Sequence, residues 1–194
     1  MRQKLEFFVI QGFRPAVRLF LAILFLLPAA APAEVKVTFH SRDLGATFPH
    51  AFVSLKGVVD ATGETVDTAY GFTAKTLSPA ILAGSVSGKV QVETQAYVRH
   101  SKRHFTVTLP DERYHALMAV VERWRNAAQP SYNLNRANCV HFVGELAQAV
   151  GLDVTFDPKL MKKPKSFLIA VKAGNEARVE PPLGEDGGTL TAAP

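Results

Sequence analysis

The chain is poor in cysteine: among 194 residues it has one, Cys139. A single thiol excludes a disulfide-stapled miniature and every multi-cysteine zinc or iron–sulfur pattern. Long apolar runs are missing too. The run from Leu19 to Leu27 is too short for a bilayer-spanning helix, which needs about 20 residues. Excess charge is also scarce once its location is considered. The formal net charge is +5, but residues 1–33 hold Arg2, Lys4, Arg14 and Arg18 against Glu6 alone. The remainder carries 18 basic and 16 acidic groups, a net +2. A body so close to neutral has no basic footprint for nucleic acid. What the chain does have is apolar side chain, 47% of residues, which excludes full disorder. At this length one domain is expected.

Residues 1–33 read as an export signal. A basic segment ends at Arg18, an apolar stretch follows, Pro28 breaks it, and Ala31-Pro32-Ala33 offers the small side chains that a signal peptidase reads. Cleavage is expected between Ala33 and Glu34, leaving a periplasmic or secreted domain over residues 34–173. N-terminal sequencing of the exported protein should begin at Glu34; retention of Arg14 and Arg18 would mean a membrane anchor instead. In an oxidising compartment a lone thiol calls for an explanation.

The exported part is β-rich first and helical last. Val35–His40 alternates apolar and polar residues, as a half-buried strand does. His50–Gly57 and Thr65–Phe72 read as a hairpin about the turn Asp60-Ala-Thr-Gly63. Residues 74–88 read as a loop with one short helical turn, Lys89–Val98 as a strictly alternating strand, and His104–Leu109 as another strand after a basic turn at Lys102-Arg103. From Asp111 the period becomes helical, with Tyr114, Leu117, Met118, Val121 and Trp124 on one face as far as Gln129-Pro130. Asn138 is a good N-cap for a helix over Cys139–Val150 closed by Gly151. A last short helix is expected over Ser166–Val171, then a disordered tail over 174–194. The class is α+β, an antiparallel sheet packed against helices.

Cys139 is the first candidate for chemistry. In the first turn of a helix, unpaired N–H groups and the dipole favour a thiolate, and the same groups can hold an oxyanion. A thiolate mechanism needs a histidine within reach. His50 opens a strand beside an apolar run, a rigid setting that suits a general base. His40 ends the preceding strand and is placed equally well. His100, His104 and His115 read as solvated. His141 lies two residues past Cys139, about 200° round the axis at 3.6 residues per turn, and so points away from the sulfur. A buried structural cysteine, or a zinc site of Cys139 with two histidines, are the plainer alternatives; no ligand spacing supports the second.

The stretch Tyr132-Asn-Leu-Asn-Arg-Ala-Asn-Cys139-Val-His-Phe-Val, with its helix closing on Gly151-Leu152, resembles the cysteine helix of circularly permuted NlpC-like papain-fold proteins. Pro49-His50-Ala-Phe-Val-Ser-Leu, followed by Tyr70-Gly71-Phe72, is similar to their histidine strand and its successor. The order, histidine before cysteine, is the permuted one. The likeness spans roughly residues 36–172. It implies Cys139 as nucleophile, His50 as base, and Tyr132 and Asn138 as lining or oxyanion residues. It also implies a third polar residue on the strand after the histidine. Asp67, Thr68 and Thr73 are available there; the strand has no His, Asn or Gln.

The resemblance implies an exported cysteine peptidase or amidase acting through a thioester, on a cell-wall peptide (peptidoglycan) or a similar amide, with no cofactor and no metal. The alternatives are a lipid acyltransferase or hydrolase like the lecithin:retinol acyltransferase branch, and a binding module of the same fold without activity. The missing third residue favours the last.

Overall fold

Alternating apolar positions decide which side of each strand faces the helices. The computed structural model describes residues 34–43, 48–127 and 131–181; residues 1–33, where an export signal is expected, and residues 182–194 lie outside them. Six strands are present among the described residues: β1 (Val35–Arg42), β2 (His50–Val58), β3 (Thr65–Ala74), β4 (Val86–Val92), β5 (Lys102–Leu109) and β6 (Ser131–Tyr132). They form one sheet in the order β5-β1-β2-β3-β4-β6, antiparallel throughout. Val35, Val37 and Phe39 of β1, Ala51, Val53 and Leu55 of β2, and Phe105, Val107 and Leu109 of β5 all enter the main core. The α+β class is therefore observed.

The helices are α1 (Ala80–Ala83), α2 (Gln95–Arg99), α3 (Asp111–Arg125), α4 (Cys139–Ala149) and α5 (Pro164–Ala173). Helix α4 is the central one. It buries Val140, Phe142, Val143, Leu146 and Ala147 and packs on β2, β3, α3 and α5. Gly151 takes φ +92° just past its end, as expected of its glycine stop. Asp111, at the start of α3, accepts from the N–H groups of Asp60 and Ala61 and so ties the β2–β3 turn to that helix. Among the described residues no helix is long and apolar enough to cross a membrane.

The alternation in 89–98 misleads. The strand starts earlier, at Val86, and ends at Val92; the rest becomes α2. Thr94 takes an extended conformation and its hydroxyl accepts from Tyr97 N–H at 3.2 Å, so a local cap outcompetes the ladder. Lys102-Arg103 belongs to β5 rather than to a turn. Residues 175–181, part of the expected disordered tail, are also more ordered than their composition suggests; the rest of that tail lies outside the described residues. Asn175 is buried and its amide bonds Asp153 and Val171, and Glu180 exchanges two backbone bonds with Thr106 at the edge of β5.

The face of the sheet turned away from the main core is covered by α2, with Phe52, Ala69 and Val98 packed together. Two polar pairs line it, Thr38 with Thr106 and His40 with Ser54, while Ser41 meets His104 on the side of α5. The expectation of a solvated His104 is thus corrected. It is buried, and desolvation, helped by the charges of Lys102, Lys165 and Lys172 over the opposing Asp43, lowers its pKa to about 4. His100 and His115 are exposed as expected.

Candidate active site

Helix α4 starts where it does because Asn138, extended at φ −134°, turns its side-chain oxygen onto the N–H groups of Val140 (2.8 Å) and His141 (3.3 Å). Its amide nitrogen donates to the carbonyls of Leu134 and Met161. Every polar atom of Asn138 is therefore used to build the helix start. The sequence assigned it a lining or oxyanion role; it lines a cavity, but with no free donor. The Cys139 N–H is the first-turn donor that the cap leaves alone. Asn138→Ala should cost about 2 kcal/mol or more of stability, since it uncaps the helix and strands two buried carbonyls. Urea denaturation measures this.

His141 makes its ring bond to Asn138 Oδ1 at 3.0 Å and stacks on Phe156. It braces the cap, and no hydrogen bond joins it to Cys139. His40 is not in the site either. It stacks on Phe52 at 4.8 Å, its Nε2 pairs with Ser54 Oγ at 2.8 Å, and burial, aided by Arg103 and His104, lowers its pKa to about 3.

The electrostatics of His50, the first residue of β2, are set by its burial and by two neighbouring side chains, Cys139 and Glu93. Glu93 Oε1 stands 3.4 Å from His50 Nε2, both side chains being almost completely buried. That separation is long for an aligned hydrogen bond, and resting sites are often so. Burial alone would depress the His50 pKa. The Cys139 and Glu93 side chains beside it favour the charged ring and outweigh burial, and the pKa rises to about 9. Gln91 Nε2 donates to the second oxygen of Glu93 at 3.2 Å.

Glu93 is the residue that sequence reasoning missed. In a strand over 89–98 it is one polar position among several; in the structure it is buried, and with Gln91 it lines the cavity that holds His50. The expected third residues are elsewhere. Asp67 pairs with Lys56, six residues along β2 from His50, roughly 20 Å at 3.3 Å per residue, and accepts from Gln95. Thr68 pairs with Leu55. Thr73 lines the same cavity as His50, though Glu93 makes the contact with the ring.

Two cavities meet at this centre. One, about 310 Å³, is lined by His50, Glu93, Gln91, Thr73, Lys75, Lys89 and Tyr97 among others. The second, about 270 Å³, is lined by Cys139 with Leu82, Leu134, Val140, Met161 and Pro164. Phe48, Pro49 and Tyr132 border both. Cys139 is 3% exposed, so its access runs through its cavity rather than across open surface. Tyr132 is buried against Phe72, and desolvation together with the Cys139 charge pushes its phenol pKa far up, so it keeps its proton.

No protein-family model matches the sequence, and neither a curated protein nor a solved structure matches it.

Proposed function

We propose that this protein is a cysteine hydrolase of the permuted NlpC-like papain type, cleaving an amide or ester through a thioester on Cys139. The observation that carries the reading is the buried row Cys139–His50–Glu93, with the thiol at a helix start and a carboxylate behind the imidazole. A structural cysteine has no need of that arrangement. A binding module that had lost activity would have no reason to keep a buried carboxylate on the histidine, which weakens that alternative.

In this reading Glu93 holds His50 Nε2, which leaves Nδ1 to exchange protons at the reaction centre. The Cys139 thiolate attacks the carbonyl carbon, and the Cys139 N–H and the Tyr132 hydroxyl stabilise the oxyanion. His50 then gives its proton to the leaving nitrogen or oxygen as the carbonyl bond breaks. Water, deprotonated by His50, attacks the thioester and releases the acid, and the thiol regains its proton.

The test is a mass measurement on protein mixed with a p-nitrophenyl ester. A transient acyl adduct confined to the peptide containing Cys139, absent in Cys139→Ala, is expected. Turnover with no adduct, and undiminished in Cys139→Ala, would overturn the covalent mechanism.

A further inference from the structure

The cavity of about 310 Å³ that His50 lines has a wall of alternating strand positions. Gly71 and Thr73 of β3, with Lys75 just past its end, share the side of the sheet that turns away from the main core, where Phe52 pairs with Gly71. On β4, Gln91 stands opposite Gly71 and Lys89 opposite Thr73. Gly71 marks the level of the His50 ring, because a Cβ there would meet it. Thr73 and Lys89 therefore start roughly 7 Å beyond the ring, and Lys75 roughly 13 Å beyond it, at 3.3 Å per residue.

Three polar side chains on this wall, Thr73, Lys75 and Lys89, have no hydrogen-bond or ion-pair partner among the described residues. The one carboxylate lining the cavity, Glu93, is engaged: it faces the charged ring of His50 and accepts from the Gln91 amide. The two ammonium groups are thus an uncompensated pair of positive charges in a concave space. A cleft lined by charge of one sign concentrates ligands of the other. Residues 34–194 as a whole have a net charge of only +2, so the pair is not a sample of a generally basic surface.

In the mechanism proposed above, on which this inference rests, His50 protonates the leaving group, so the leaving half of the substrate departs along the cavity that His50 lines. We infer that this half carries an anionic group, a carboxylate or a phosphate, which Lys75 and Lys89 bind with the Thr73 hydroxyl, and that these residues set the specificity of the enzyme. The strand spacing puts the charge several bonds from the one that breaks, not on the leaving atom itself. A lysine is a point charge without a fixed fork, so the pair suits either anion. The anion is bound and not transformed. The carbonyl–heteroatom bond breaks, the heteroatom leaves with a proton from His50, and water supplies the oxygen and proton that free the acid and restore the thiol.

The experiment uses three acetate esters on the full-length protein, with 4-carboxyphenyl, 4-phosphonooxyphenyl and neutral 4-carbamoylphenyl leaving groups. Intrinsic reactivity cancels when the anionic-to-neutral ratio of kcat/KM is compared between wild type and variant. Lys75→Gln and Lys89→Gln should each lower that ratio about 3-fold and the double variant about 10-fold, as exposed charge pairs do. Lys89→Glu should lower it further, because a like charge then faces the anion. The anion with the larger ratio is the one the site selects. Raising ionic strength from about 0.02 M to about 0.5 M should reduce the wild-type ratio several-fold and leave that of the double variant in place. Both lysines are exposed, so these variants fold. Equal ratios in wild type and double variant, with Cys139 still acylated, overturn the anion site while leaving the cysteine mechanism standing. If no ester acylates Cys139, the mechanism fails and the anion site with it.

Discussion

Hydrolysis of a p-nitrophenyl ester should fall by about 10⁴-fold or more in Cys139→Ala and in His50→Ala, and the double variant should be no worse than either. The equality is the diagnostic part. Nucleophile and base act as one unit: without His50 nothing takes the Cys139 proton or activates the water that clears the thioester, and without Cys139 there is no thioester for it to serve. His141→Ala is the control. It removes one ring bond to Asn138 and a stacking contact, so about 1 kcal/mol of stability should go while most turnover remains. Circular dichroism on each variant separates lost chemistry from lost fold. An active His50→Ala in folded protein would mean that His50 is not the base.

Gly71→Ala should be nearly as damaging as a dyad variant although it removes nothing. A Cβ at Gly71 would stand 2.5 Å from His50 Nε2, 3.0 Å from Glu93 Oε1 and 3.2 Å from Phe52 Cβ. No buried pair accommodates an atom at that distance, so the ring and the carboxylate must part. Turnover should drop by about 100-fold or more, since a displacement of about 1 Å at a reacting group costs that much. Overpacking should also cost about 1–3 kcal/mol. Phe52 absorbs part of the strain, so urea denaturation must accompany the kinetics. Wild-type turnover in folded Gly71→Ala would show that the contact between His50 and Glu93 is incidental.

The same contact sets a pH dependence. The folded pKa of His50, about 9, lies above the ordinary 6.5. Its contribution to stability is therefore complete below about pH 6.5 and lost as pH rises through about 9. Glu93→Gln removes one of the groups that raise it, so the alkaline limb of both stability and kcat/KM should move to lower pH. A purely structural Glu93 would shift stability alone.

Much of this was legible in the residues. Strands β1, β2 and β3, the turn at Gly63, helix α3, and helix α4 with Asn138 as its cap follow from local alternation, helical period and capping chemistry, which neighbours in the chain settle among themselves. Where two local signals compete, the reading fails: Thr94 as a cap beats the alternation that runs through it, and Glu93 was hidden inside that error. For His104 the local pattern is silent: a polar residue beside Lys102 and Arg103 carries no mark of burial until Ser41 comes to meet it from another strand.

The amino-acid sequence by itself determined that Cys139 starts a helix, that His50 starts a strand, and that both belong to an antiparallel α+β domain, because each depends on interactions within a few residues. Only the tertiary structure decided that Glu93, rather than Asp67, Thr68 or Thr73, stands behind His50. Only it decided that Asn138 spends its whole amide on the helix start, and that an apolar cavity opens beside the sulfur. His50 and Glu93 are 43 residues apart, brought together by strand register and by the close approach that the bare Cα of Gly71 permits, and Asn138 reaches the Met161 carbonyl 23 residues on.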